Sequence, residues 1–229
     1  MYIDITYIIL VLPAILLTLY AQAKVKSTFN KYLRVSNSRG VTGVEAARAI
    51  LQNQGIHDVN IERADGHYTD HYDPRTKTIR LSSPVYDGAT ITSVGVAAHE
   101  VGHAIQHNTS YSFLVIRHSI FPVVNISSRL AMPLILLGLL FSNSLVAIGI
   151  LLFSAVVLFQ LVTLPVEFNA SKRALAALEG QGILSDSEIR PVRKVLSAAA
   201  LTYVAAAAVA VANLLRLLIL FTGGNRRRR

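Results

Sequence analysis

Long uncharged apolar stretches alternate with polar segments along this chain of 229 residues. Residues 5–21 carry no charge, and with their neighbours they reach the ~20 residues that a helix needs to cross a bilayer. Two further apolar runs lie within residues 118–165 on either side of a polar turn, Ser142-Asn143-Ser144, and an alanine- and leucine-rich run covers residues 198–221. This pattern predicts an N-terminal span, a hairpin of two spans and a fourth span.

The longest polar segment has patterns typical of a small α+β domain. Thr42 and Glu45 have the spacing of a capping box before the sequence GVEAARAILQNQ, which predicts a short helix. Turn residues and β-prone runs between residues 57 and 83 predict two or three short strands, most clearly Thr76 to Leu81. The sequence TITSVGVAAHEVGHAIQH then predicts a largely buried helix.

These patterns predict a mainly α membrane protein with about four transmembrane helices and a small α+β domain. We expect the first span to be retained as an anchor, because Asp4 precedes it and Lys24 and Lys26 follow it. The predicted segments are an N-terminal transmembrane anchor (1–23), a polar α+β domain (24–117), a transmembrane helical hairpin (118–165), a polar helical segment (166–197), a C-terminal transmembrane helix (198–221) and a basic tail (222–229).

Composition and charge support a membrane protein. Hydrophobic residues make up 52% of the chain and charged residues only 15%, against about 25% in an average soluble protein. The net charge is +9, and the basic residues flank the apolar runs instead of forming the continuous, aromatic-rich stripe of a basic nucleic-acid or lipid-binding protein. The bias of Lys and Arg places the 24–117 domain in the cytoplasm, although four crossings then put the Arg226–Arg229 tail outside.

His99, Glu100 and His103 form the pattern H-E-x-x-H inside the predicted buried helix. Residues four apart share a helix face, so both imidazoles can bind one ion while Glu100 reaches a water molecule on it. Bound zinc lowers the pKa of that water towards ~7, and the carboxylate can take its proton. The chain has no cysteine, so a metal must use His, Asp or Glu. We therefore predict one zinc ion per chain.

A catalytic zinc normally has three protein ligands, so a third is expected. His107 continues the helical stripe, but eight residues of straight helix place it ~12 Å from His99, whereas a Zn–N bond is only ~2.0–2.1 Å long. Glu167 is the favoured candidate, because a lone carboxylate at the end of a span is costly to dehydrate without a cation. The alternative donors lie in a segment typical of a solvated hairpin: His67, Asp70, His71 and Asp73.

Residues 71–107 and 164–174 resemble the YugP-type neutral zinc metallopeptidases of bacterial membranes. The resemblance extends beyond the H-E-x-x-H pattern on both sides, and the spans fall in the same order over nearly the whole chain. More distantly, the chain is similar to the gluzincins, which include HtpX and the CAAX prenyl proteases. The resemblance implies that His99, His103 and Glu167 bind zinc, that Glu100 is the general base and that the 24–117 domain is a zincin-like catalytic domain.

The resemblance also raises three more specific expectations. The relatives usually have the pattern Glu-x-x-Ala-Asp where this chain has Ser171 in place of the Asp, so Asn169 or Ser171 is expected to make the corresponding hydrogen bond. Thr76 to Leu81 resembles the edge strand that holds an extended substrate, although a plain hairpin strand fits equally well. The candidates for stabilising the oxyanion are Arg173, Tyr203, His118 and Arg129.

The resemblance implies an integral membrane zinc metalloendopeptidase that hydrolyses peptide bonds with zinc-activated water and Glu100 as base. The expected partners are a peptide or membrane-protein substrate and the lipid bilayer, with no nucleic acid, and the expected location is a bacterial cell membrane crossed several times. The alternatives are a catalytically silent zinc-containing membrane scaffold or chaperone-like binding protein, and a hydrolase of another bond. Glu100 favours an enzyme, because a structural zinc site has no use for that carboxylate.

Overall fold

The computed structural model describes residues 4–66 and 69–226. The described residues form mainly helices and one small sheet, and four of the helices are long and apolar enough to cross a membrane. These elements confirm the predicted fold class. Arg227–Arg229 of the predicted tail lie outside the described residues. The elements are a π-helical turn (Tyr7–Val11), α1 (Leu12–Tyr32), α2 (Gly43–Asn53), β1 (Asn60–Ala64), β2 (His71–Asp73), β3 (Thr78–Ser82), α3 (Ser83–Tyr86), α4 (Ile91–Asn108), α5 (Ser112–Phe141), α6 (Asn143–Gly180) and α7 (Asp186–Arg226).

The chain divides into two compact units. We call the first the membrane unit, which contains the described residues of Met1–Ala21, Val115–Pro165 and Thr202–Arg229. The second, the polar unit, contains Gln22–Leu114 and Val166–Leu201 apart from the two undescribed residues. Four helices, α1, α5, α6 and α7, have one end in each unit.

The surface of the membrane unit is apolar. At most 28% of the most apolar window of each candidate span is buried within the protein. Leu139, Leu140 and Phe141 at the end of α5 are 70–78% exposed. Side chains of this kind are stable in lipid and costly in water, so the four helices are suited to a bilayer.

The first span begins with a π-helical turn just before Pro13. Proline has no amide hydrogen and its ring clashes with the carbonyl four residues earlier, so a regular α-helix cannot continue unchanged past it. The wider π turn adjusts the hydrogen bonding at this position.

The predicted hairpin of two spans is confirmed by α5 and α6, which are separated only by Ser142. Two glycines bring these helices close together. A Cβ atom on Gly138 would lie 2.5 Å from the Val146 amide nitrogen, and one on Gly149 would lie 2.9 Å from the Ala131 carbonyl oxygen. Small residues at such crossings let helix backbones approach each other, as is common in membranes.

The sheet of the polar unit has the strand order β1-β3-β2, with β1 parallel and β2 antiparallel to β3. The prediction of short strands is therefore confirmed. Of the two alternatives for Thr76 to Leu81, the hairpin strand is confirmed by the antiparallel pairing of β3 with β2, and the edge strand is wrong. β3 pairs with β1 on one side and with β2 on the other, and its side chains Ile79 and Leu81 are fully buried. The strand beside α4 at the edge of the sheet is β2.

Two helices of the polar unit form as the sequence predicts. At the start of α2, Thr42 Oγ1 accepts a hydrogen bond from the Glu45 amide, and Glu45 Oε2 accepts one of 2.8 Å from the Thr42 amide. This is the predicted capping box. In α4 the apolar side chains Ala97, Val101 and Ala104 are buried in the core of the unit, so the helix is largely buried as expected.

α6 continues through Pro165 without a break, so the second arm of the hairpin and the segment that begins at residue 166 are one helix. A proline inside a helix leaves the carbonyl four residues earlier without its usual donor, which a membrane helix tolerates better than a soluble one. Farther on, Gly182 with φ +59° separates α6 from α7. A glycine adopts this left-handed backbone conformation without strain, which suits it to the end of a helix.

Candidate metal centre

α4 presents His99 and His103 side by side on one face. Their ring centroids are 4.8 Å apart and their planes are almost perpendicular, at 84°. The two side chains are 15% and 13% exposed, whereas the apolar residues around them on α4 are buried. The helix therefore holds both imidazoles at the edge of the core, where a part of each remains accessible to solvent.

Glu167 from α6 completes a cluster with these two histidines. Its Oε2 atom lies 3.4 Å from His99 Nε2 and 3.6 Å from His103 Nε2, and the three possible ligand atoms all lie within 4.8 Å of one another. The Glu167 side chain is only 3% exposed. A buried carboxylate needs a positive partner, and two imidazole nitrogens with one carboxylate form a donor set that zinc accepts while one position stays open.

Gly102 explains how α6 comes close enough for Glu167 to join the cluster. A Cβ atom on Gly102 would lie 2.5 Å from the carbonyl oxygen of Ala170, so the backbones of α4 and α6 touch here. Ala170 is itself fully buried and lies three residues after Glu167, on the same face of α6. The glycine and the alanine thus set the helix spacing that the cluster requires.

Ser171, which stands where the related pattern has an Asp, contacts one of the two histidines. Its hydroxyl lies 3.2 Å from His99 Nδ1. A histidine that binds metal through one nitrogen commonly donates the hydrogen on its other nitrogen to an oxygen, which fixes the ring. Of the two candidates that the sequence suggested, Ser171 is therefore the one that contacts a predicted ligand directly.

Gln106 plays the corresponding part for His103, and sequence reasoning missed it. Its Oε1 atom lies 3.0 Å from His103 Nδ1, while its Nε2 atom donates hydrogen bonds of 2.7 Å to the Val166 carbonyl oxygen and 3.0 Å to Asn169 Oδ1. Gln106 is completely buried. Its chain neighbours, Ile105 and His107, give no local signal of this role, because the partners on α6 lie about sixty positions away.

The hydrogen bonds of this group determine which nitrogen of His103 carries a hydrogen. Arg173 Nε can only donate, so the Asn169 atom that it reaches at 2.8 Å is the oxygen. Gln106 must then present its amino group to that oxygen and its carbonyl oxygen to His103. In the neutral form of His103, Nδ1 therefore carries the hydrogen and the lone pair is on Nε2, which faces Glu167. In the protonated form, Nε2 carries a second hydrogen and can donate it to Glu167.

Replacing Gln106 with leucine should weaken zinc binding. The variant loses the acceptor for His103 and both donors to α6, and removal of such outer hydrogen bonds typically costs 10–100-fold in metal affinity, so we expect a loss of about that size. Competition with a chromophoric chelator measures it. Gln52→Leu, at an exposed position of α2, is the matched control. Equal zinc affinity of the two variants would contradict the proposed role of Gln106.

Electrostatics at the cluster favours positive charge. Burial acts against the charged form of His103, but the hydrogen bond with Glu167 and the charges of Glu100 and Glu167 outweigh it and raise the pKa of His103. Glu100 is buried, with 7% exposure, and lies outside the three-residue cluster found among the described residues. Glu100 is therefore placed to act beside the cluster of His99, His103 and Glu167 and not as one of its ligands.

The other predicted donors are engaged elsewhere. His107 lies in the last turn of α4, where its Nδ1 atom is 2.8 Å from the Tyr72 hydroxyl. Asp70 accepts hydrogen bonds from the amide and hydroxyl of Ser82, and Asp73 accepts one from the Arg75 amide. His71 Nδ1 lies 2.7 Å from the Thr69 carbonyl oxygen, and His67 lies outside the described residues. The contact of His107 joins α4 to β2, and the contacts of Asp70, His71 and Asp73 lie within the hairpin segment.

Of the four oxyanion candidates, Arg173 shares the polar unit with the cluster. Its guanidinium lies 5.9 Å from the centre of the Tyr111 ring, in addition to its hydrogen bond with Asn169. His118, Arg129 and Tyr203 belong to the membrane unit. The structure thus brings together in one unit three residues of α4, His99, Glu100 and His103, and three residues of α6 that lie more than sixty positions later, Glu167, Ser171 and Arg173.

Known proteins identify the family of this chain. A family model described as "Putative neutral zinc metallopeptidase" matches residues 7–222. A protein of Bacillus subtilis (strain 168), named "Putative membrane protease YugP", is 54% identical over 220 residues, which is 95% of this chain and 97% of that protein. No solved structure matches the chain. Because both similarities extend over nearly the whole sequence, the chain belongs to the neutral zinc metallopeptidase family of membrane proteins.

Proposed function

We propose that this protein is an integral membrane zinc endopeptidase that cleaves peptides or membrane-protein segments near the bilayer surface. The observation that carries the proposal is the convergence of His99, His103 and the buried Glu167 from two helices whose residues are more than sixty positions apart. We assign these three residues as zinc ligands and Glu100 as the general base. The gluzincin arrangement, with a glutamate from a later helix, is part of this proposal.

Zinc, when bound, would act as a Lewis acid that polarises the scissile carbonyl and lowers the pKa of the attacking water. Glu100 would accept a proton from that water on a carboxylate oxygen and deliver it to the nitrogen of the leaving amine. Ser171 and Gln106 would hold the two imidazole rings in place through their Nδ1 atoms. The partial exposure of both histidines gives a substrate access to the site.

An extended substrate would pair with β2. This strand packs against α4, and among the described residues it pairs only with β3, so its other side is available for backbone hydrogen bonds. Tyr72 on β2 contacts His107, which lies one helical turn beyond His103. A peptide added along β2 would therefore run close to the metal-binding face of α4.

The catalytic side is proposed to be cytoplasmic, in a bacterial cell membrane that the chain crosses four times. Lys24, Lys26 and Lys31 follow the first span closely, and such charges favour the cytoplasmic side. The segment Val166–Leu201, which carries five further basic residues, belongs to the same unit as Gln22–Leu114. A common location of both basic segments supports this orientation.

Removal of zinc should abolish peptide cleavage by the detergent-purified protein. Dialysis against a strong chelator is expected to reduce cleavage of casein or a quenched peptide to background, and about one equivalent of zinc per chain should restore it. Metal analysis and fluorescence follow both steps. A wild-type protein that holds one zinc ion and cleaves neither substrate would instead support the scaffold alternative. Activity that persists without metal would overturn the proposal.

A further inference from the structure

A basic groove lies between α1 and α7 within the polar unit and has a volume of about 610 Å³. On α1 it is lined by Lys24, Thr28 and Lys31, and on α7 by Lys194, Ala198 and Leu201. On each helix these residues follow the spacing of four and then three positions that places side chains on one face. Two helix faces that meet lengthwise therefore form the walls of the groove.

The groove is suited to an anion. The chain has six lysines, and three of them line this one groove, while no acidic side chain lines it among the described residues. The ammonium group of Lys31 also lies 5.4 Å from the centre of the Tyr32 ring, within range of a cation–π contact. The sequence showed only that basic residues flank the spans, whereas the fold gathers three of them around a single cavity.

The groove has two cations at its outer end, and Lys24 with two apolar side chains at the end nearer the bilayer. The apolar run of α1 ends just before Lys24, so Lys31 lies ~10 Å farther from the membrane along that helix. α7 runs towards its apolar segment, and Leu201 lies ~10 Å closer to the membrane than Lys194. Two cations thus occupy the outer end, and Ala198 and Leu201 line the end nearer the bilayer.

We propose that this groove binds an anionic phospholipid, with the phosphate between Lys31 and Lys194 and the start of an acyl chain along Ala198 and Leu201. Lys24 adds positive charge at the level of the surrounding headgroups. The volume lies in the range of ~300–1,000 Å³ typical of small-molecule sites. Basic pockets between helices at the cytoplasmic surface bind anionic headgroups for the same electrostatic reason.

Lipid binding can be measured by native mass spectrometry of the full chain in neutral detergent. The probes are dioleoyl phosphatidylglycerol, dioleoyl phosphatidylcholine and glycerol phosphate. We expect one phosphatidylglycerol per chain, and a loss of roughly 100-fold in its affinity in the variant K24Q/K31Q/K194Q, because each lysine near an anionic headgroup contributes about fivefold. The variant K26Q/K77Q/K172Q removes the other three lysines and is the matched control.

The charge-preserving variant K24R/K31R/K194R should keep the affinity for phosphatidylglycerol. Equal affinity for phosphatidylglycerol and phosphatidylcholine, or an equal loss in the control variant, would overturn the proposal. Displacement of the lipid by an equal concentration of glycerol phosphate would also overturn it, because the acyl chain would then contribute nothing. If the triple variant aggregates, Lys31→Gln and Lys26→Gln carry the test, with a loss of about fivefold expected only for the first.

Discussion

Replacing Glu100 with glutamine is expected to lower peptide cleavage by about 10²–10⁴-fold while the zinc content stays at one per chain. Glutamine matches the size of glutamate, but it cannot accept a proton at neutral pH. Glu100 is buried at 7% exposure and stands outside the His99, His103 and Glu167 cluster, so metal binding should not depend on it. The measurement is kcat for a quenched peptide together with metal analysis.

Glu179→Gln is the matched control for this experiment, because Glu179 is an exposed acid on α6 that pairs with Arg193 at 3.5 Å. It should retain wild-type cleavage. If Glu100→Gln cleaves as fast as the wild type with zinc bound, Glu100 is not the base. If it loses both zinc and activity, Glu100 contributes to binding the metal and the assignment of ligands must change.

Local patterns were sufficient to predict most of the fold. The capping box at Thr42 and Glu45 depends on residues three positions apart, and the spans depend on stretches of apolar residues, so both can be read without knowledge of distant contacts. The strand order could not be read in this way. β3 is central because β1 pairs with it in parallel on the side opposite β2. Sequence spacing does not specify such non-local pairing.

The candidate site could be predicted only in part, again because sequence patterns reveal local and not distant contacts. His99, Glu100 and His103 lie on one helix, where a spacing of four fixes their common face. The choice of Glu167 needed the argument from dehydration and the family resemblance, because the contact that places it, between Gly102 and Ala170, joins two distant segments. Gln106 was missed because its three partners belong to α4 and α6 together, and nothing near it in sequence marks that role.

Replacing Glu167 with alanine is expected to lower zinc affinity by about two orders of magnitude and to abolish cleavage at ordinary zinc concentrations. Zinc binding in small protein sites is worth roughly 10–16 kcal/mol over four ligands, so one ligand accounts for about 3 kcal/mol, or about 100-fold. The same change removes the proposed zinc-mediated link between α4 and α6. Zinc at 100 times its Kd stabilises a protein by ~2.7 kcal/mol, whereas zinc at its Kd stabilises it by only ~0.4 kcal/mol, so the same zinc concentration should raise the Tm of the wild type far more than that of Glu167→Ala.

Glu179→Ala is again the control, since it removes an acid from the exposed side of the same helix and should change neither zinc affinity nor Tm. A second variant, Glu167→Gln, separates charge from packing: it fills the same space, so a similar loss of zinc would show that the carboxylate itself is needed. Full zinc binding and full activity in Glu167→Ala would exclude Glu167 as the third ligand. The hairpin acids would then be the candidates to test, and Asp70 first, because its carboxylate is already partly buried beside Ser82.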